Sequence, residues 1–397
     1  MKTYRYIIVG GGMTGSAAVM GIRENDTDGS IAMFSREEYG PYNRPPLTKS
    51  LWNSKDIDDI IRPMDDYNVD SFLSTQVSHI DSGSKVIETK NGDQFKYEKL
   101  LLATGGHPRK LQDVPQDVIY YRTRADYHRL NELTESKEHF CVIGGGFIGS
   151  EISAALIKQD KKVTMIFPEV GISGMRFPDD LAEFLNDYYR EKGVEVLNRN
   201  LVTNITKSDD LYRVQYKDLE DEETSDATFD AVIVGIGIKP NTYLAEDADI
   251  EVEDGIVVDE FLETNQEGIF AAGDVAYFKH HGLGEYVRVE HEDNANKMGM
   301  TAGLNMSGEK KVYEHFPFFY SDLFDHGYEA VGDLNKDYEV YSDWIDPFKK
   351  GTIFYLKDDR VKGLIFWNLW DKVDQGREVI KAGDSYKKED LKGLFTD

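Results

Sequence analysis

The chain has 397 residues with 40% apolar and 12% aromatic content, which is enough for two or three domains with full hydrophobic cores. Its formal net charge of −27 disfavours nucleic acid and anionic lipid as partners, because an acidic surface repels phosphate groups. No apolar run reaches the roughly 20 residues of a membrane span. Since nothing before Tyr6 resembles a targeting signal, the sequence predicts a cytoplasmic protein.

The first 40 residues predict a strand, a glycine turn, a helix and a second strand from Ser30 to Phe34. The turn lies in YIIVGGGMTGS and has the spacing G-x-G-x-x-G. Gly10 permits the tight turn, Gly12 lets the backbone approach a diphosphate, and Gly15 allows the helix to pack closely. The amino end of the helix then faces the negative charge of the ligand.

The segment GPYNRPPLTKSLW, residues 40–52, is predicted to be a rigid loop. Pro45 and Pro46 interrupt regular structure, because each fixes its backbone and lacks an amide donor. The loop carries two cations, Arg44 and Lys49.

A second copy of the glycine fingerprint, FCVIGGGFIGS, follows 134 residues after the first (144 − 10). Each copy follows a β-branched apolar strand and opens a helix-compatible stretch, which is the context in which the motif holds a pyrophosphate. The chain is therefore predicted to bind two dinucleotides at once, a flavin and a nicotinamide. The elements predicted in this second unit are a helix from Ile148 to about Lys158, a strand from Lys162 to Phe167 and a closing apolar strand from Ala231 to Asn241.

The predicted fold class is α/β, with two Rossmann-like dinucleotide-binding domains and a C-terminal α+β domain that contains an antiparallel sheet. An Asn-Gly pair at 91–92 predicts a β-hairpin, and the apolar stretch 269–276 predicts a late strand of the first sheet. From about Lys311 the strands become rich in aromatic residues. The predicted domains are residues 1–115 and 242–310 for FAD, 116–241 for NAD, and 311–397 at the C-terminus.

Carboxylates that follow each fingerprint are candidates for binding the adenosine ribose. Arg36 and Glu37 compete for the first ribose position, and we favour Glu37. Glu169 lies 20 residues beyond Gly149 (169 − 149), where a carboxylate accepts ribose hydroxyls and repels a 2′-phosphate. This spacing predicts a preference for NADH over NADPH. Arg176 would favour the phosphate, but its loop position is more typical of a solvated side chain.

The only cysteine, Cys141, lies inside the strand that precedes the second fingerprint. One thiol cannot form a disulfide within the chain, so a dithiol relay is excluded. We interpret Cys141 as a small buried apolar residue.

The chain resembles the apoptosis-inducing factor family of FAD-dependent NADH oxidoreductases, which is close to the ferredoxin and rubredoxin reductases among the glutathione-reductase-like flavoproteins. The resemblance extends from Gly10 to Asn368. Its segments occur in family order and are GPYNRPPLTKSLW, ATGGHPR, GGGFIGSE, IFPEVG, AAGD, VEHEDNA, FYSDL, GYEAVG and GTIFYLKD-x-x-V-x-G-x-x-x-WN.

The resemblance implies two sets of cofactor contacts. The implied FAD contacts are Arg44, Lys49, Val77, Asp274 and His291. The implied NADH contacts are Gly146, Phe147, Ile148, Glu169, Gly237, Glu290, Glu329 and Asn368. Phe147 would cover the flavin face until nicotinamide displaces it.

The catalytic residues implied by the resemblance are Lys49, Glu151, His291 and Tyr320. Lys49 and Glu151 resemble the family's pair near flavin N5, where a lysine stabilises negative charge on the reduced ring and a glutamate orients it. The chain departs from the family pattern at three positions. Tyr320 stands where a tryptophan is common, Met175 replaces a lysine near NADH, and Arg36 precedes Glu37.

The sequence therefore predicts an enzyme that accepts hydride from NADH on FAD and passes electrons from the flavin to an unidentified acceptor, such as a quinone, an iron-sulfur protein or oxygen. One alternative is a ferredoxin or rubredoxin reductase component, whose usual acidic partners the charge of −27 would repel at low salt. Another alternative is a non-enzymatic redox sensor that changes its association with NADH. The chain is expected to be a monomer or a homodimer.

Overall fold

The computed structural model describes residues 1–395. Its strands, in chain order, are β1 (Lys2–Val9), β2 (Ile31–Phe34), β3 (Val69–Phe72), β4 (Val77–Asp81), β5 (Val86–Thr89), β6 (Gln94–Leu102), β7 (Gly106–Pro108), β8 (Ile119–Tyr120), β9 (His139–Ile143), β10 (Lys162–Ile166), β11 (Val194–Leu197), β12 (Asn200–Ser208), β13 (Leu211–Asp218), β14 (Thr224–Phe229), β15 (Ala231–Val234), β16 (Ile238–Pro240), β17 (Ile256–Val258), β18 (Ile269–Ala271), β19 (Ala276–Lys279), β20 (Tyr286–Val287), β21 (Phe318–Leu323), β22 (His326–Gly332), β23 (Glu339–Asp346), β24 (Lys350–Lys357) and β25 (Arg360–Trp367).

The helices complete the alternation of strands and helices that the sequence predicted. They are α1 (Met13–Asn25), α2 (Arg124–Ser136), α3 (Phe147–Lys158), α4 (Asp179–Glu191), α5 (Tyr243–Glu246), α6 (Glu292–Met306), α7 (Val373–Ala382) and α8 (Lys388–Leu391). Short 3₁₀ turns occupy Pro45–Thr48, Ser50–Asn53, Ile57–Ile60, Asp65–Tyr67 and Gly273–Val275.

The described residues form two compact units. Unit 1 consists of Met1–Arg44, Asp56–His107 and Lys239–Phe319, and unit 2 consists of Pro45–Lys55, Pro108–Ile238 and the chain from Tyr320 onward. The four-segment domain division proposed from the sequence stays a prediction. Among residues 1–395, no helix is both long and apolar enough to cross a membrane.

Unit 1 is built on a seven-stranded sheet with the order β3-β2-β1-β6-β5-β4, and β18 also pairs with β6. Strands β3, β2, β1, β6 and β18 are parallel, whereas β5 and β4 are antiparallel to their neighbours. The predicted hairpin and the predicted late strand are both confirmed. The first half of β6 pairs with β5 across the Asn-Gly turn, and its second half pairs with β18 through Leu100 and Ile269.

Helices α1 and α6 of unit 1 pack with their backbones in close approach. A Cβ at Gly299 would lie 2.4 Å from the Thr14 carbonyl oxygen, and one at Gly303 would lie 2.1 Å from that of Ala18. Since either methyl group would collide with backbone atoms, these glycines are required for the helices to meet. The pair covers one face of a core that includes the central strands β1, β6 and β18.

Unit 2 contains a five-stranded parallel sheet with the order β11-β10-β9-β15-β8. Its central strands β9, β10 and β15 are mostly apolar and buried, which is typical of a parallel sheet covered on both faces. A three-stranded antiparallel sheet, β12-β13-β14, follows within the same unit. The last region of the chain forms the sheet β21-β22-β25-β24-β23 with α7 and α8, so the predicted C-terminal antiparallel sheet is confirmed.

Two local predictions are corrected by the structure. The predicted loop at residues 40–52 contains two 3₁₀ turns, because proline fits the first turn of a helix, where its missing amide is not needed. The predicted strand from Ala231 to Asn241 is two strands, β15 and β16. Gly237, with φ of +91°, lies in the interruption between them. The predicted bounds of β2, α3 and β10 agree within about one residue. The late strand predicted at 269–276 ends earlier, at Ala271, because a 3₁₀ turn follows it.

Candidate functional site

The first glycine loop joins β1 to α1 in unit 1. Gly10 has φ of +131°, and a Cβ there would lie 2.0 Å from the Ala103 carbonyl oxygen. A Cβ at Gly15 would lie 2.0 Å from the Gly10 oxygen, whereas one at Gly12 would meet no heavy atom within 4 Å. Gly10 and Gly15 are therefore required by internal packing, while Gly12 borders open space.

The second glycine loop joins β9 to α3 in unit 2 and repeats this geometry. Gly144 has φ of +114°, and its Cβ would lie 2.4 Å from the Gly235 oxygen. A Cβ at Gly149 would lie 1.9 Å from the Gly144 oxygen, and one at Gly146 would again meet nothing within 4 Å. The two loops thus have the same pattern of crowded and open positions.

Both loops fit the diphosphate of a dinucleotide. The helices that follow them, α1 and α3, begin without a side-chain cap and have no acidic residue in the first turn. Their first amide groups and their partial positive charge are therefore available to an anion. Residues 10–15 would hold the FAD diphosphate, and residues 144–149 would hold that of NADH.

Glu37, the candidate for the first ribose, lies in a polar cluster of unit 1. Its two oxygens accept hydrogen bonds from the Arg44 guanidinium and the Tyr42 hydroxyl, each at 2.6 Å. Burial alone would raise the pKa of Glu37, but Arg44 and Tyr42 outweigh burial and lower it. These two partners favour the ionised form of the carboxylate. Arg36, its competitor at this position, is exposed.

Asp274 lies in the 3₁₀ turn that follows β18. A Cβ at the preceding Gly273 would lie 2.2 Å from Thr14 Oγ1, so this turn lies against the start of α1. Burial by itself would lower the pKa of the Arg44 guanidinium. Tyr42, Glu37 and Asp274 have the opposite and larger effect, so the pKa is raised. The structure therefore brings Glu37, Arg44 and Asp274 into one charged environment in unit 1.

The remaining unit 1 candidates have partners within the protein. Val77 is buried at the start of β4, and its carbonyl accepts from the Tyr243 hydroxyl at 3.1 Å. His291 immediately precedes α6 and stacks on Phe319 at 4.2 Å between ring centroids. Glu290 forms an ion pair with Arg288 at 2.5 Å. Any contact between Glu290 and NADH would have to compete with that arginine.

Lys49 and Glu151 meet in unit 2, where their side chains are 14% and 7% exposed. The Lys49 ammonium forms a short ion pair with Glu151 Oε1. The same oxygen accepts from Ser321 Oγ at 2.6 Å, and Oε2 accepts from Thr48 Oγ1 at 2.5 Å. The buried carboxylate is thus satisfied by one cation and two hydroxyls, which compensates for the cost of removing it from water.

Tyr320 extends this cluster on β21. The Lys49 ammonium lies 5.3 Å from the centroid of the Tyr320 ring, within the range of a cation–π interaction. The ring itself is 38% exposed. Three of the four predicted catalytic residues, Lys49, Glu151 and Tyr320, therefore lie together in unit 2, while His291 lies in unit 1.

The two C-terminal candidates for NADH binding are part of a network of internal hydrogen bonds. Asn368 accepts from the Gly327 amide at 2.7 Å and donates to His326 at 2.8 Å and to the Lys349 carbonyl at 2.7 Å. Glu329 accepts from the Asp371 amide at 3.1 Å, and burial raises the pKa of this glutamate. Asn368 therefore connects three backbone segments of the C-terminal sheet in this structure.

The other NADH candidates lie around the second glycine loop. Ile148 follows Phe147 in the first turn of α3, and a Cβ at Gly235 would lie 3.2 Å from its side chain. Gly237 accepts from the Arg109 amide at 2.9 Å through its carbonyl. Glu169 follows β10 and is partly exposed, and its carbonyl accepts from the Arg199 amide at 3.0 Å. The role of Glu169 as a ribose carboxylate stays a prediction.

Reasoning from the sequence missed three members of these clusters: Tyr42, Thr48 and Ser321. Each is one or two residues from a predicted site residue and lies within a family segment, GPYNRPPLTKSLW or FYSDL. Their positions next to predicted site residues would have been enough to suggest them as members of the site. Thr48 and Ser321 both donate to Glu151, which lies 103 and 170 residues away from them in the chain.

Cys141 is fully buried in β9, and burial raises the pKa of its thiol well above the ordinary value. A thiol in this environment is neither ionised nor accessible, which is consistent with a small apolar core residue.

Comparison with known proteins identifies the family of the chain. Residues 4–299 match the pyridine nucleotide-disulphide oxidoreductase family, and residues 333–382 match the C-terminal domain of mitochondrion-associated apoptosis-inducing factor. The chain is 33% identical to apoptosis-inducing factor 1 of Dictyostelium discoideum, over 96% of this chain and 79% of that protein. It is 31% identical to peroxisomal monodehydroascorbate reductase 4 of Arabidopsis thaliana, over 90% and 78% of the two chains.

Solved structures agree with this assignment. A putidaredoxin reductase, solved in covalent complex with putidaredoxin, is 27% identical with a TM-score of 0.90 over 98% of this chain and 95% of that one. A ferredoxin reductase from Rhodopseudomonas palustris is 28% identical with a TM-score of 0.88 over 98% and 96%. The chain therefore belongs to the pyridine nucleotide-disulphide oxidoreductase family and is an FAD-dependent NADH oxidoreductase of the apoptosis-inducing factor and ferredoxin reductase type.

Proposed function

We propose that this oxidoreductase prefers NADH and delivers electrons from its flavin directly to an external acceptor, without a cysteine relay. The observation that supports direct delivery is the burial of Cys141, which is 0% exposed and is the only thiol in the sequence. Members of a family named for disulphide chemistry need a reactive cysteine pair for that chemistry, and this chain cannot form one.

Bound FAD supplies the ability to accept a hydride from NADH and to release two electrons to another molecule. The protein's own residues would bind and orient the reactants. The first glycine loop, Glu37 and Asp274 would hold FAD, and the second loop with Glu169 would hold NADH. Glu169 supports the preference for NADH, because a carboxylate beside the ribose repels a 2′-phosphate.

The ion pair of Lys49 and Glu151 would supply fixed charge beside the reacting ring. Lys49 carries a positive charge that favours an electron-rich partner, and Glu151 orients the ammonium and moderates its charge. Ser321 and Thr48 keep both carboxylate oxygens of Glu151 in one orientation through hydrogen bonds of 2.6 and 2.5 Å. These contacts would leave little freedom for the lysine to move away from the reaction.

The acceptor we favour is a small uncharged molecule such as a quinone. The net charge of −27 disfavours a close approach by an acidic carrier protein at low salt. An iron-sulfur carrier is the second candidate, and it is supported by the similarity to the putidaredoxin reductase and the ferredoxin reductase. Monodehydroascorbate belongs in the same test, because four reductases named for it are 29–31% identical to this chain.

The test is anaerobic addition of NADH to the FAD-loaded protein, followed by a panel of acceptors at low and high salt. We expect the flavin absorbance to be lost with NADH and to return fastest with a quinone. A rate with a ferredoxin-type protein that exceeds the quinone rate and rises with salt would favour the second candidate. Absence of flavin reduction by NADH would contradict the proposed donor.

A matched variant tests the direct route. Cys141→Ala should retain FAD and turn over with the same acceptor within about twofold, since the change removes only a buried sulfur. A Cys141→Ala protein that keeps its FAD and is reduced by NADH, yet no longer passes electrons to any acceptor, would show that the thiol takes part.

A further inference from the structure

A cavity of about 220 Å³ lies at the amino-terminal edge of the parallel sheet in unit 2. It is lined by residues of α2, by the first residues of β8 and β15, and by the β12–β13 hairpin. Strands β8, β9 and β15 are parallel, so the glycine loop that follows β9 lies at the opposite edge of this sheet. The cavity is therefore separate from the second glycine loop.

The buried part of the lining is apolar. Ile119, Ala231 and Val232 are each at most 2% exposed, and they belong to the starts of β8 and β15. Leu133 of α2 is partly buried and lines the same cavity. These side chains offer a ligand an apolar surface of the kind that lines most small-molecule sites.

Two of the acidic lining residues are already compensated by the protein. Asp117 forms a short ion pair with Lys207, which also lines the cavity. Asp230 accepts hydrogen bonds from the backbone amides of Glu138 and His139, at 3.0 and 2.8 Å. Neither carboxylate therefore needs a ligand to balance it.

Three further charged side chains line the cavity and have opposite signs on different elements. Arg129 and Lys137 are eight positions apart along α2 and its C-cap, which places them on one face, two turns apart. Asp210 lies in the turn between β12 and β13. Within residues 1–395, neither Lys137 nor Asp210 forms an ion pair or a side-chain hydrogen bond, and Arg129 donates only to the Asp117 carbonyl. The cavity thus has cations on the α2 side and a carboxylate on the hairpin side.

The ligand that suits this lining is an α-amino acid with an apolar side chain. Its carboxylate matches Arg129 and Lys137, its ammonium matches Asp210, and its side chain matches the apolar surface. A cavity of about 150 Å³ accepts benzene, so 220 Å³ has room in proportion for about nine non-hydrogen atoms, which is the size of leucine. A zwitterion has no net charge, so the charge of −27 does not repel it as it repels a simple carboxylate.

We propose that this cavity is a binding site for a zwitterionic α-amino acid with an apolar side chain about the size of that of leucine. The ligand would connect α2 to the β12–β13 hairpin and so stabilise unit 2. The site goes beyond the proposed electron transfer and does not depend on it.

The first test compares ligands that differ in one group. Titration calorimetry of the FAD-loaded protein with L-leucine should give a Kd at or below about 1 mM. The probe 4-methylpentanoate is leucine without the ammonium, and 3-methylbutylamine is leucine without the carboxylate. Each should bind about tenfold more weakly than leucine, and so should glycine, which lacks the apolar side chain.

The second test removes one charge of the cavity at a time. Asp210→Asn should weaken leucine binding by about threefold to tenfold and leave 4-methylpentanoate unaffected, because that probe has no ammonium. Asp209→Asn is the matched control, since it removes the adjacent charge of the same turn from a residue that does not line the cavity. It should leave the affinity for leucine unchanged.

Lys137→Gln should weaken leucine and 4-methylpentanoate alike and leave 3-methylbutylamine unaffected, because only the first two carry a carboxylate. Lys158→Gln, at the end of α3, is the matched control for this change. FAD content and the circular dichroism spectrum show whether each variant is folded.

Three results would overturn the proposal. The first is a leucine Kd weaker than about 1 mM for the parent protein. The second is an equal affinity for leucine and 4-methylpentanoate, which would mean that the ammonium is not recognised. The third is unchanged leucine binding in folded Asp210→Asn and Lys137→Gln, which would place the ligand elsewhere.

Discussion

Ser321 donates a hydrogen bond to Glu151 Oε1 at 2.6 Å, although the two residues are 170 positions apart in the chain. Ser321 belongs to the C-terminal sheet and Glu151 to the helix that follows the second glycine loop. The bond links the two regions of unit 2 at the carboxylate that also holds Lys49. The positions of the Glu151 carboxylate and of the Lys49 ammonium bound to it therefore depend on the correct packing of both regions.

Ser321→Ala should destabilise the protein by about 1–3 kcal/mol, because it removes one donor from a buried carboxylate. Chemical denaturation measures the loss, with the exposed Ser225→Ala as the control. Ser321→Ala should also shift the flavin reduction potential, since the orientation of Glu151 and Lys49 is less restricted. A changed stability with an unchanged potential would limit Ser321 to a structural role.

Lys49→Ala should lower the flavin reduction potential or weaken FAD binding. It also leaves the buried Glu151 carboxylate without its cation, which costs about 3–5 kcal/mol when one partner of a buried pair is removed. The double variant Lys49→Ala with Glu151→Gln should recover part of that stability. An anaerobic redox titration checks the first effect, and an unaltered potential in a fully FAD-loaded variant would argue against the proposed role of Lys49.

Glu169→Ala should weaken NADH binding by about tenfold and reduce the discrimination against NADPH, because the ribose loses an acceptor and the 2′-phosphate loses a repelling charge. Flavin reduction kinetics with both nucleotides measure the ratio. Glu191→Ala, which removes an exposed carboxylate from α4, is the control. If the preference for NADH is the same in both variants, Glu169 does not bind the ribose.

The last glycine of each loop should affect a different cofactor. Gly149→Ala places a methyl group 1.9 Å from the Gly144 oxygen, so it should abolish NADH binding while FAD is retained. Gly15→Ala places one 2.0 Å from the Gly10 oxygen and should abolish FAD binding. Gly83→Ala, whose nearest atom is 3.5 Å away, is the control. Loss of FAD in Gly149→Ala would contradict the assignment of the loops.

His280 should make stability depend on pH between about 4 and 6.5. Burial lowers the pKa of His280 from 6.5 to about 4, and the residue is 3% exposed. The unfolded chain binds a proton in this range while the folded protein does not, so stability falls as pH decreases from 6.5 to about 4, by up to about 1.4 kcal/mol per pH unit.

Replacement of His280 by phenylalanine should remove this contribution. Denaturant unfolding at several pH values measures the slope, and the exposed His79→Asn variant serves as the control. If the slope of the His280→Phe protein equals that of the parent, His280 is not the group responsible.

The sequence predicted those parts of the fold that local patterns determine. The glycine loops, the hairpin at Gly92 and the returning strand β18 follow from turn chemistry and apolar runs within a few residues. Pro45 and Pro46 predicted only an interruption of regular structure after Arg44, whereas the chain forms 3₁₀ turns there. Proline both ends regular structure and fits the first positions of a helical turn, so its presence alone does not decide between the two.

The candidate site was predictable to a smaller extent. The positions of Lys49 and Glu151 came from a family resemblance, whereas the hydroxyls of Thr48 and Ser321 that bind Glu151 were not expected. A single sequence gives no distance between residues more than 100 positions apart.

The glycine contacts between α1 and α6 have a consequence for biosynthesis. The helix that opens on the first glycine loop needs Gly299 and Gly303 against it, and these leave the ribosome only after most of the chain has been translated. The five-stranded sheet that carries the second loop is formed by residues 119–234 alone and can form earlier. We therefore expect FAD to bind late in biosynthesis, after the second glycine loop has already folded.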